Sequence, residues 1–211
     1  MKKYLAELIG TFALVFCGTG AIIVDQQTNG GVGHIGVAIT FGLIVTALIY
    51  TFGEKSGAHL NPAVTIAFSL AMLFPKNQII PYITSQIIGA LIASVLLKLL
   101  FPSNINLGAT IPAGSNLQSF ILEIVLTFIL MLTILFTSQG SKETGTMAGL
   151  AIGGVVLLEA MFAGPISGAS MNPVRSLSPA LVSGNVATLW IYLTAPVIGA
   201  ALATVAWRYT K

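Results

Sequence analysis

Ser56-Gly57-Ala58-His59-Leu60-Asn61-Pro62-Ala63-Val64 and Ser167-Gly168-Ala169-Ser170-Met171-Asn172-Pro173-Val174-Arg175 are two versions of one pattern. In each, small residues lead into Asn-Pro, and a mostly apolar run follows. Asn is a favoured helix N-cap and Pro is favoured at the first helical position, so each stretch reads as an irregular segment feeding a short helix. A helix of about ten residues covers only about 15 Å, roughly half the hydrocarbon core of a bilayer. Two half-helices of this kind make a pore or transport device, provided that the rest of the chain is membrane protein.

The composition meets that condition. Charged residues are 7% of the chain, against roughly 25% in ordinary soluble domains, and the mean hydropathy is +0.94. Six apolar segments of spanning length fall near 4–24, 33–53, 80–101, 117–138, 146–165 and 185–207. A polar stretch rich in Asn, Gly, Ser and Pro separates them at 102–116. The first segment carries Glu7, is long, and lacks a clear small-residue cleavage site, so it does not read as a signal peptide. With the N-terminus in the cytoplasm, Lys2, Lys3, Lys55, Lys76, Lys142, Arg208 and Lys211 fall on the inner side, and only Lys98 and Arg175 do not. That asymmetry follows the positive-inside rule. The net charge of +3 therefore reports orientation and not a nucleic-acid partner. A single cysteine, Cys17, excludes an intrachain disulfide.

The duplication runs beyond the two loops. Tyr82-Ile83-Thr84 through Gly89-Ala90 recurs as Tyr192-Leu193-Thr194 through Gly199-Ala200, and Glu7-x-x-x-Thr11-Phe12 recurs as Glu123-x-x-x-Thr127-Phe128. The chain is thus one channel domain, 1–211, built of halves at about 1–101 and 117–211. Each half has three spans and one Asn-Pro loop. Three is odd, so the second half enters the membrane inverted, and the two loops dip in from opposite faces to meet near the midplane. Non-helical backbone at that depth must be packed in protein or line a wet cavity. The carbonyls of Gly57, Ala58, His59, Gly168, Ala169 and Ser170 are then available to a passing solute. Asn61 and Asn172 cap their helices with the side-chain oxygen and keep amide N–H groups for the lumen. Two positive helix ends of about half a charge each face one spot, which repels cations and interrupts a proton relay.

These residues resemble the aquaporin (major intrinsic protein) family across nearly the whole chain. The resemblance rests on six spans, the paired Asn-Pro loops, Ala6-Glu7 with Gly10-Thr11-Phe12, and Ser-Gly-Ala before both motifs. It implies an all-α fold of six transmembrane helices and two re-entrant half-helices, Asn61-Pro62-Ala63 and Asn172-Pro173-Val174 at the pore, and a homotetramer with one pore per subunit. It also implies that Glu7 and Glu123 support the loops by accepting their backbone N–H groups. Val174 departs from the usual Ala. The family's four-residue selectivity ring, near the outer mouth, falls on Phe41, Ala160, Ala169 and Arg175. Water-selective members have His at the position of Ala160, so Ala there widens the ring. The run Phe162 to Pro173 is most similar to nodulin-like intrinsic proteins and their bacterial relatives, a group associated with glycerol and with metalloid acids such as arsenous or boric acid. Ser176 stands where glycerol facilitators carry Asp.

The expected function is passive passage of water and small uncharged solutes without protons or ions. A strictly water-selective channel is the first alternative and a secondary active transporter the second, although neither loop carries a coupling carboxylate. No nucleotide motif, metal cluster or cofactor site suggests an enzyme. Glu159 reads as a buried, partnered carboxylate or as a pore contact, with the first favoured. His59 reads as a packed side chain or a pH gate, again with the first favoured, and His34 as a plain interfacial residue. Ala169 stands where some members carry a mercury-sensitive Cys. The compact length suggests a prokaryotic plasma membrane with both termini in the cytoplasm.

Overall fold

The computed structural model describes residues 1–211 and contains nine α-helices and no strand. Six of the helices are long and apolar enough to cross a membrane. They are α1 (Lys2–Gln27), α2 (Gly33–Ser56), α4 (Ile79–Leu100), α5 (Asn116–Ser138), α7 (Ala148–Ser167) and α9 (Leu189–Thr210). Two short helices, α3 (Pro62–Leu70) and α8 (Pro173–Ser183), begin at the Asn-Pro motifs, and α6 (Lys142–Thr146) is a single turn before α7. The six long helices match the apolar segments of the sequence with ends displaced by a few residues. The molecule is an integral, multi-pass membrane protein.

The packing repeats the inverted duplication. Helix α1 lies against α4 and α2, and correspondingly α5 lies against α9 and α7. Half-helix α3 packs on α9 of the other half, and α8 packs on α4. Glycines set the closest approaches. A Cβ at Gly89 would run into the Leu8 carbonyl of α1, and a Cβ at Gly199 into the Ile124 carbonyl of α5. Gly89 and Gly199 are matching positions, as are Leu8 and Ile124, so both helix pairs close by one device. Small residues at such crossings let backbones touch where lipid offers no hydrophobic driving force.

Both half-helices start as the sequence requires. Asn61 and Asn172 have extended backbones, Pro follows at the first helical position, and each side-chain oxygen caps an N–H two residues on, Ala63 at 2.9 Å and Val174 at 3.1 Å. Helices α2 and α7 both end on a left-handed glycine, Gly57 and Gly168. The chain then keeps unusual backbone through residues with a Cβ: Ala58, Leu60, Ala169 and Met171 have φ of 45°, 52°, 41° and 53°. A non-glycine residue in that region costs on the order of 1–2 kcal/mol, so the two loops need outside support.

Candidate functional site

Two buried glutamates give that support. Glu7 on α1 accepts Ser56 Oγ at 2.7 Å, His59 N at 2.9 Å, Leu60 N at 2.7 Å and Gln86 Nε2 at 2.8 Å. Glu123 on α5 accepts Ser167 Oγ, Ser170 N and Met171 N, each at 2.8 Å. The fourth bond has no counterpart in the second half, because Pro196 stands where the first half has Gln86. Hydrogen bonds to a charged acceptor contribute about 1.5–3 kcal/mol each, enough to offset the strained loop residues. Matching tyrosines tie down the preceding helix ends: Tyr82 donates to the Ser56 carbonyl at 2.9 Å and Tyr192 to the Ser167 carbonyl at 2.6 Å.

With their N–H groups turned toward the glutamates, the loops leave other atoms free. The carbonyls of Gly57, Ala58, His59, Gly168, Ala169 and Ser170 accept no hydrogen bond within the chain. The next carbonyl in each loop is engaged across the pseudo-twofold axis. Asn61 Nδ2 donates to the Met171 carbonyl at 2.8 Å, and Asn172 Nδ2 donates to the Leu60 carbonyl at 2.9 Å. Each amide has two N–H groups, so one remains at each half-helix start.

A cavity of about 650 Å³ runs past these atoms. At one end it is bounded by Tyr50, Glu54 and Gln139. It continues between Asn61 and Asn172 and reaches Phe41, Ala160, Ala169 and Arg175. Thus all four ring positions face one lumen, as do Gly57, Ala58, His59 and Ser170. Gly168, Pro62, Ala63, Pro173 and Val174 stand back from it. Val174 is buried in the apolar core, so the Ala-to-Val departure takes up space between helices and does not narrow the passage.

Arg175 is 2% exposed. Its Nη1 donates to the Gly108 carbonyl at 2.9 Å, its guanidinium carbon lies 5.0 Å from the centre of the Phe41 ring, and Nε has no partner within the protein. Stacking on Phe41 holds the flat guanidinium; Nε is buried, while Nη2 makes no hydrogen bond within the chain and is the donor left for the lumen. The support from Gly108 has no signal in the sequence, where residues 102–116 read only as a linker. Leu107 and Gly108 take left-handed backbone there, and a Cβ at Gly108 would meet Thr19. Thr110, from the same linker, donates to Ser176 Oγ at 2.7 Å, and Ser176 Oγ lies 2.5 Å from Ser170 Oγ. Ser176 therefore belongs to a buried hydroxyl chain that braces the second loop.

Inverting the ring reveals a second one. Asn61 and Asn172 are 111 residues apart, and the same offset carries Phe41, Ala160, Ala169 and Arg175 to Ile152, Ile49, Ala58 and Val64. All four of those also line the cavity. This inner ring is wholly apolar; only the outer one carries a charge.

The His59 ring stacks on Phe68 at 4.8 Å between centroids, touches Phe74 and Tyr82, and its Nδ1 lies 3.2 Å from Thr65 Oγ1. Its side chain is packed, in a residue that lines the lumen. Glu159 is fully buried, as expected, but neither oxygen has a hydrogen-bond partner and the residue does not line the cavity. The expectation of a partner is corrected: the apolar α7 face carrying Val156 and Ala163 supplies no donor. His34 is not a plain interfacial side chain, since its Nε2 lies 2.6 Å from the Met161 carbonyl.

Paired half-helices, carboxylate-braced loops and a continuous lumen invite comparison with known proteins. The family model described as major intrinsic protein matches residues 1–207. The chain belongs to the major intrinsic protein family. It is similar to Aquaporin NIP1-1 of Oryza sativa subsp. japonica, with 44% identity over 210 residues, covering 99% of this chain and 73% of that protein. It is likewise similar to Nodulin-26 of Glycine max, with 43% identity over 210 residues, covering 99% of this chain and 77% of that protein. The X-ray structure of the aquaglyceroporin from Plasmodium falciparum superposes with a TM-score of 0.88 at 25% identity, covering 98% of this chain and 94% of that one. As a member of this family the chain is a channel for water and small solutes, and not an enzyme.

Proposed function

We propose that residues 1–211 form one passive channel whose solutes include glycerol or metalloid acids as well as water, with protons and ions excluded at Asn61, Asn172 and Arg175. The observation that carries this reading is the make-up of the outer ring. Two of its four members, Ala160 and Ala169, are methyl-sized and place no donor in the lumen. Phe41 gives an apolar wall and Arg175 a donor opposite the free loop carbonyls. A small molecule with a carbon or metalloid centre and hydroxyls meets both demands. The likeness to the aquaglyceroporin of Plasmodium falciparum supports the same reading. Coupled transport gains nothing here, because Glu7 and Glu123, the carboxylates nearest the loops, are engaged by loop N–H groups.

One observation favours strict water selectivity instead: the Phe41 ring lies against the guanidinium and takes up part of the opening. Stopped-flow light scattering on proteoliposomes decides between them. Glycerol or boric acid flux above the empty-vesicle rate, with no signal from an internal pH dye, supports the broader channel. Fast water flux alone makes it a water channel. A gradient-driven accumulation of solute would refute both.

A homotetramer and cytoplasmic termini complete the proposal. The first comes from the family resemblance and the second from the distribution of Lys and Arg. The plant relatives above lend no support to a prokaryotic membrane.

A further inference from the structure

Helix α7 contains a proline, Pro165, near its C-terminal end. A proline has no N–H, so the carbonyl four residues earlier, that of Met161, loses its helical partner. The His34 imidazole fills that gap from α2, with Nε2 at 2.6 Å from the Met161 oxygen. A carbonyl only accepts, so Nε2 carries the proton and donates. The ring sits over Gly164, where a Cβ would come within 2.9 Å of His34 Cε1. Histidine, glycine and proline thus form one contact.

Its position matters because α2 and α7 each carry one ring residue. Phe41 lies seven residues after His34, two turns along the same face of α2, and Ala160 immediately precedes Met161. Further along, the helices touch at Gly42 and Gly153: a Cβ at Gly42 would lie 2.7 Å from the Gly153 carbonyl. Beyond that crossing, Tyr50 donates its hydroxyl to the Thr146 carbonyl at 3.1 Å. Tyr50 and Met161 are related positions, each six residues before the serine that ends its helix. Helix α2 is therefore pinned to α7 at the middle, tied to it at Met161, and tied at its other end to the α6 turn that leads into α7. The tie at His34 falls where proline has weakened α7, and sharp bends of a helix concentrate at such points.

We propose that His34 is a positioning residue for solute selectivity: its hydrogen bond to the Met161 carbonyl holds the C-terminal end of α7 against α2 and so fixes the distance between Ala160 and Phe41. It does not touch the solute. The proposal rests on the reading of Phe41, Ala160, Ala169 and Arg175 as the selective ring.

The test compares wild type, His34→Phe, His34→Gln and Gly164→Ala in proteoliposomes, reading the ratio of glycerol to water permeability. Phenylalanine keeps the ring and removes the donor, and glutamine keeps a donor at similar reach. The Gly164→Ala methyl pushes the imidazole away while leaving His34 in place. Expected are a rise in the ratio of roughly two- to tenfold for His34→Phe and Gly164→Ala, the span that one net hydrogen bond allows, and a return to the wild-type ratio for His34→Gln. An unchanged ratio in both disrupted variants overturns the proposal. So does an equal shift in His34→Gln, or a uniform fall in both fluxes, which reports only fewer working channels. If wild type passes no glycerol, the broad-solute reading fails separately, and the role of His34 is then read from whether glycerol flux appears in His34→Phe.

Discussion

Asn61 and Asn172 each donate a side-chain N–H to the main chain of the opposite half, to Met171 at 2.8 Å and Leu60 at 2.9 Å. Each asparagine is therefore a cap for its own helix, a clamp on the other loop and a donor toward the lumen. Asn172→Asp removes the donor, leaves the Leu60 carbonyl unpaired and places a carboxylate beside two positive helix ends. A stranded buried acceptor costs about 1–3 kcal/mol, so the melting temperature in detergent falls. The added negative charge at the midplane cancels part of the cation barrier. A pH dye inside proteoliposomes is expected to report proton leak in this variant and none in wild type. Proton tightness in Asn172→Asp would refute the dipole account of exclusion.

Glu7 and Glu123 differ by the bond from Gln86. Exchanging either for Gln replaces one acceptor oxygen by an NH2 group facing donors. Both variants are expected to lose thermal stability, by about 1.5–6 kcal/mol if one or two charge-assisted bonds are lost, and to lose solute flux with it. Gln86→Leu strips only the extra bond on Glu7 and is expected to cost less than either. Equal losses for all three would show that the loops are held by packing and not by the carboxylates.

Glu159 supplies the opposite case. A fully buried carboxyl without a partner is a burden on the fold, and an unsatisfied buried polar group costs about 1–3 kcal/mol that an apolar side chain would not. Glu159→Leu is expected to raise the melting temperature and leave water flux unchanged. Lower stability together with altered flux would mean that this carboxyl serves the pore.

At the ring, Ala160→His adds bulk and a donor opposite Phe41. Glycerol and metalloid acid fluxes are expected to fall first, with water flux reduced less. A parallel loss of all fluxes would place the narrowest point elsewhere, for which the apolar Ile49, Ala58, Val64 and Ile152 set is the nearest candidate.

The sequence carries the features that repeat. Asn-Pro twice, Glu7 matched by Glu123 and Tyr82 matched by Tyr192 reveal inverted halves, because duplicated contacts leave duplicated residues. Helix starts are legible at Asn61 and Asn172 since cap and proline chemistry is local. What the sequence hides is what joins unlike elements. Nothing near Gly108 shows that its carbonyl reaches Arg175, 67 residues on. His34 looks idle until α7 lies beside it with Pro165 four residues beyond Met161. Glu159 could be placed on a buried face, but the absence of any donor there depends on what α5 and α2 present to it.

The exchange between Asn61 and Met171 also bears on how the protein is made. When the first three spans leave the ribosome, the Leu60 carbonyl and one Asn61 N–H have no partner, because both partners belong to a segment synthesised about 110 residues later. In hydrocarbon such groups are costly, so the first loop, although braced by Glu7 and Tyr82 of its own half, carries two unmet polar groups until the second arrives. The exchange of hydrogen bonds at the midplane is therefore the part of the first loop that is completed jointly with the second. Two separately expressed halves would each lack the partner that the other supplies in this exchange.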